Sequence, residues 1–93
     1  MIGWLGRLFG GKRALFRFDP RWKEEMVVTG PGGQFTLYFP MGNPTAVLPT
    51  EEAWPRLAPA WAIDLWPELK AELEQWCAAN KVRLELDPAA AVY

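Results

Sequence analysis

Apolar and polar positions follow two different periods along this chain, and the change falls near residue 50. Before it, apolar side chains come in short runs of strand-forming residues bounded by glycine and proline. ALFRF at residues 14–18 reads as a strand ended by Asp19-Pro20. EEMVVTGPGGQFTLYFP reads as a hairpin, with strands at 26–29 and 35–39 and Gly30-Pro31-Gly32-Gly33 as its turn. Alternation puts Phe35, Leu37 and Phe39 on one face, the core face, and Thr36 and Tyr38 on the other. Gly42-Asn43-Pro44 supplies a further turn, and residues 45–48 a further strand closed by Pro49.

After residue 50 the period becomes helical. Thr50 followed by Glu51 and Glu52 marks a helix start, a capping hydroxyl with two carboxylates that complement the positive end of the helix dipole. Pro55 is tolerable in a first turn, but Pro59 stops a long continuation, so residues 57–60 are a bend or a second helix start. The longest helix is expected over residues 65–79. In it Trp66, Leu69, Leu73, Trp76 and Cys77 form one stripe, while Glu68, Lys70, Glu72 and Glu74 face elsewhere. Lys70 and Glu74 are spaced to pair, Glu68 and Glu72 to repel modestly. Asn80 suits a left-handed helix terminus. Val82, Leu84 and Leu86, alternating with Arg83 and Glu85, form a last strand within 82–87, and Val92 and Tyr93 belong to a short tail.

Strands joined by hairpin-type turns, then helices, then a final strand predict an α+β fold: two layers, an antiparallel sheet of about four strands with helices packed on one face. No internal repeat is visible. At 93 residues the chain is one domain, since a second core would need more residues than remain after the first is built. It divides into a basic amphipathic segment at 1–13, strands and hairpin at 14–48, a helical segment at 50–80 and the final strand at 82–87.

Composition sharpens this picture at three points. Six tryptophans are many for a thin core, and packing at the core and its boundary is their ordinary use. Trp66 and Trp76 belong to the helical stripe, and Trp54 and Trp61 flank the proline-broken segment. Trp4 and Trp22 lie in the basic end and are the two most readily given to a partner surface. The single Cys77 excludes an internal disulfide framework and reads as a buried small hydrophobe, as expected of a cytoplasmic protein. With no histidine and one cysteine, a zinc site, a Ser-His-Asp triad and a Cys-His pair are excluded within this chain. No cofactor or metal is expected. The glycines of GPGG and MGNP lack the spacing that cradles phosphate and read as turns.

Charge is divided unevenly. Residues 1–23 carry six Lys/Arg against one acid, and residues 24–93 four against ten, so a formal total of −1 hides a basic end and an acidic body. The acidic body argues against nucleic acid as a partner. MIGWLGRLFGGKR places Ile2, Leu5 and Phe9, and also Trp4 and Leu8, at helical spacing beside Arg7, Lys12 and Arg13. It lacks the order of a signal peptide. Its simplest expectation is a short helix folded on its own domain and stopped at Gly10-Gly11; contact with a membrane or a partner stands behind that.

No paired carboxylates or nucleophile-base set can be singled out, so an enzyme is not expected. An acidic protein-binding face fits better, with Glu51, Glu52, Asp64, Glu68 and Glu72 beside exposed indole and Trp4 and Trp22 as further candidate contacts. FPMGNPTAVLP and WPRLAPAWAIDLWPELKAELEQWC, with the scale of the chain, resemble small bacterial cytoplasmic proteins of the immunity type, which are commonly acidic and block a secreted toxin by binding it. The likeness covers residues 35–93; the basic N-terminal end departs from it, and no residue's role is carried over. The resemblance implies an immunity protein whose partner is a toxin domain. The runner-up is a peripheral membrane or complex-assembly adaptor acting through residues 1–13.

Overall fold

The computed structural model describes residues 14–93. The expected N-terminal helix and Trp4 lie outside the described residues. Three antiparallel strands come first: β1 (Arg17–Arg21), β2 (Glu25–Gly30) and β3 (Gly33–Tyr38), in the order β1-β2-β3. β4 (Thr45–Leu48) follows, then a short helix α1 (Trp54–Leu57), a 3₁₀ segment (Ala60–Leu65), the main helix α2 (Trp66–Asn80) and β5 (Arg83–Leu86). The expected α+β class is what the chain adopts.

Its strands divide between two sheets, because β5 pairs with β4 and runs parallel to it. A parallel partner needs a long crossover, and the whole helical segment provides one.

The register puts one face of the three-stranded sheet in the core. Phe18 lies opposite Val28 and Val28 opposite Phe35; Met26 lies opposite Leu37. All five are buried, and Phe16 and Phe39 extend the same face. The helices supply Trp54, Ala62, Leu69, Leu73 and Cys77 against it, with Ala46 and Leu48 of β4 completing the cluster.

Several boundaries differ from the sequence expectation. β1 runs through Asp19-Pro20 instead of ending there. It is an edge strand, so the donor that proline lacks is not needed on its outer side. The β2–β3 turn is the dipeptide Pro31-Gly32, with Gly30 and Gly33 already paired. Thr50 caps a turn: its hydroxyl accepts from Ala53 N–H at 3.3 Å, and helix α1 begins only at Trp54. Ala58 and Pro59 are extended and separate α1 from the 3₁₀ segment. The left-handed position after α2 falls on Lys81 (φ 58°), because Asn80 stays helical and donates its side-chain amide to Trp76 C=O at 2.8 Å. Val92 bridges to Leu37, and Tyr93 exchanges backbone hydrogen bonds with Thr36, so the tail covers the outer edge of β3.

Aromatic rings join the layers. Trp54, Phe35, Trp61, Phe16, Phe18, Trp76 and Phe39 form one run in which neighbouring ring centroids lie 5.6–6.4 Å apart. Such separations suit offset and edge-to-face contact. Trp54 is the anchor: 1% exposed, it donates its indole N–H to Ala62 C=O at 2.9 Å, which ties α1 to the 3₁₀ segment across Pro59. Truncating a ring so placed costs about 3–5 kcal/mol, a large share of the roughly 5–15 kcal/mol available to a small domain.

The glycines of GPGG have a packing reason beyond the turn. A Cβ at Gly30 would stand 2.6 Å from Cη2 of Trp61, and one at Gly32 would collide with the same side chain. Gly33 also holds φ 148°, which L side chains rarely adopt. Trp61 thus lies across a hairpin turn whose glycines at 30 and 32 leave room for it. We predict that Gly30→Ala lowers stability by about 1–3 kcal/mol in urea unfolding. Gly42→Ala, with nothing within 4 Å, should change it far less. Equal effects of the two would show that the Trp61 contact is idle.

Candidate functional site

The helical segment gathers most of the acid. Residues 50–80 carry six Asp/Glu and two Lys/Arg. Where α1, the 3₁₀ segment and the start of α2 meet, Glu51, Trp54, Pro55, Ile63, Asp64, Trp66 and Pro67 line a concavity of about 260 Å³.

Its chemistry follows from how the walls are held. Trp54 gives its N–H to Ala62 C=O and Trp66 gives its own to Pro49 C=O, each at 2.9 Å. The two prolines have no N–H to offer. Half-buried Trp66 and the two exposed prolines therefore present carbon to the groove, exposed Ile63 adds to it, and Trp54 lies buried behind them. Carboxylates stand at its margin: Glu51 and Asp64 are exposed, and among the described residues neither has an ion-pair partner. A carbon floor with an acidic margin suits an apolar segment that also carries positive charge.

The candidate residues separate. Glu51 and Asp64 come together in the groove. Glu52 is exposed in the adjoining turn and Glu68 is exposed in the first turn of α2; neither lines the groove. Glu72 is already occupied. Its carboxylate accepts the backbone N–H of Leu15 at 2.9 and 3.1 Å and that of Phe16 at 2.9 Å, fastening the approach to β1 onto α2. Of the two candidate contacts Glu68 and Glu72, Glu72 thus carries a structural load within the chain, and Glu68 does not.

Trp22 is elsewhere, 81% exposed in the three-residue β1–β2 turn. Lys23 Nζ lies 5.5 Å from its ring centroid, and Glu24 closes the turn at φ 62°. The groove's apolar half was missed from sequence. Trp54 and Trp66 read as core anchors, which they also are, and Ile63 carried no signal apart from its helical neighbours.

Cys77 is buried, and burial, with a smaller push from the Glu74 carboxylate, raises its thiol pKa to about 11. At neutral pH it stays protonated and unreactive, its Sγ 3.9 Å from Arg83 C=O. Among the described residues no three His, Cys, Asp or Glu side chains are grouped to hold a metal, and no helix is long and apolar enough to cross a membrane.

The fold and groove define a small α+β domain with an acid-margined apolar recess. No protein family, no curated protein and no solved structure compared with the chain matches it.

Glu72 gives this region its clearest test. Replacing a carboxylate that accepts main-chain donors with an amide removes a charge-assisted interaction and leaves donors poorly paired. Glu72→Gln should lower stability by about 1–2 kcal/mol in urea unfolding, whereas Glu68→Gln, at an exposed position, should stay within about 0.5 kcal/mol. The same midpoint for both would remove the structural role assigned to Glu72.

Proposed function

We propose that the chain is a non-enzymatic protein-binding module that captures a basic, partly apolar segment of another protein. Its sharpest version is a cytoplasmic immunity protein that binds and blocks a toxin. The observation that supports it is the groove itself, where Glu51 and Asp64 accompany a carbon surface of Trp66, Ile63 and two prolines, backed by buried Trp54. Exposed carboxylates of this kind speed the encounter with a basic partner and lose influence as salt screens them. Apolar contact with Trp66 and Ile63 then holds the complex.

The test is co-purification of tagged wild-type chain and of a Glu51→Lys/Asp64→Lys variant from the source cells, each at low and high salt. A partner held stoichiometrically by wild type should associate about tenfold more slowly with the variant at low salt, and the two rates should converge at high salt. A partner held equally by both at low salt refutes the groove as the binding surface. The immunity version further requires that the partner's expression arrest growth unless this chain is co-expressed.

A second reading rests on the β1–β2 turn. Trp22 is largely exposed between Arg21 and Lys23, and Tyr38 at the end of β3 and Met41 beyond it are also exposed. An indole among cations is suited to the boundary between water and anionic lipid. On this adaptor reading, which also draws on basic residues 1–13, the wild-type chain co-sediments with phosphatidylglycerol vesicles and Trp22→Ala recovers mostly in the supernatant. Wild type that stays in solution sinks it.

A further inference from the structure

The sheets leave one edge bare among the described residues. The outer side of β1 carries Pro20 and alternating charge, and Glu72 takes the N–H groups just before it. The outer side of β3 is paired by Val92 and Tyr93. β4 is buried along its whole length. β5 has neither proline nor cover.

Its hydrogen bonds show which groups remain. Arg83 N–H donates to Pro44 C=O and Asp87 N–H to Leu48 C=O, both at 3.0 Å, so residues 83, 85 and 87 direct their main-chain groups toward β4. Successive residues of a strand alternate sides, so the N–H and C=O groups of Leu84 and Leu86 point outward. By the same alternation Leu84 and Leu86 share a side-chain face with Val82. Val82 and Leu84 pack on the core, while Leu86 is left 41% exposed.

We propose that this edge pairs with the β5 of a second copy of the chain, antiparallel about a twofold axis through Leu84. In that register the outward groups of the two Leu84 residues bond reciprocally. Arg83 then lies opposite Glu85 of the second copy, and Glu85 opposite its Arg83. Exposed Leu86 meets Val82 across the axis, which extends the apolar face from one subunit to the other. Neighbouring registers lack this match. An axis through Glu85 sets two glutamates face to face and offers main-chain groups already used by β4; one through Leu86 opposes Glu85 to Asp87. Opposite charges directly across strands favour pairing and like charges oppose it, so the RLE sequence selects its own register. Four residues cover less than the roughly 1,200–2,000 Å² of a stable interface, so the dimer dissociates on dilution.

Sedimentation equilibrium of the full chain, from micromolar to millimolar protein, tests this independently of the groove. Wild type should show a monomer–dimer equilibrium. Arg83→Glu and Glu85→Arg each oppose like charges twice and should weaken association about tenfold. The double variant Arg83→Glu/Glu85→Arg restores both pairs and should return to within about threefold of wild type. An equal mixture of the two single variants should associate although neither does so well alone. Arg83 and Glu85 are exposed, so the core is untouched, and near-ultraviolet circular dichroism verifies each fold. A chain that is monomeric throughout, single variants that dimerise undiminished, or a mixture that fails to associate overturns the proposal. So does a monomer whose Leu84 and Leu86 amides resist hydrogen exchange, since another segment of the same chain would then hold the edge.

Discussion

The contact between Trp61 and the β2–β3 turn is what the two layers depend on. A segment broken at Ala58-Pro59 has little helical cooperativity of its own, and α1 is four residues long. It stays in place because its rings are gripped: Trp61 by the glycine turn, Phe16 and Phe35, and Trp54 by Phe35 and the Ala62 carbonyl. The turn is shaped for the indole and the indole holds the turn, so neither can be changed alone. Burial of wide rings replaces the hydrogen-bond ladder that the prolines interrupt.

The same anchoring decides the character of the groove. Tryptophan offers one polar atom, and here both groove tryptophans use it internally on backbone carbonyls. What Trp66 leaves outward is apolar, and Trp54 lies buried behind it. Recesses whose walls are held by internal bonds lose little freedom when a ligand settles, and bind beyond what their area suggests. The fastening of Glu72 onto Leu15 and Phe16 works in the opposite direction, withdrawing an acid from the surface to secure the chain where it approaches the sheet.

What was legible in the sequence was whatever depends on neighbours along the chain. The 45–48 strand, the alternation of Phe35, Leu37 and Phe39 and the extent of α2 to within a residue follow from local periodicity and local turns. What depends on distant partners was not. The hydrogen-bond partners of Glu72 lie more than fifty residues away, so its pattern was that of a solvated helix face. Asp19-Pro20 reads as a strand end unless β1 is known to be an edge. The parallel course of β5 was hidden because its alternation is the same in either direction. The acids of the groove were visible as charge, but their convergence with Ile63 and Trp66 depends on how three short elements fold around prolines.

The division into two sheets sorts the chain by the entropy of closing loops. β1, β2 and β3 meet through tight turns, so each pairing closes only a few residues. β4 and β5 meet only by closing the entire helical segment, a longer loop with a larger entropic cost. The hairpin sheet can therefore outlast a fluctuation that frees β5. The pairing that closes the longest loop is thus also the one that carries the bare strand edge.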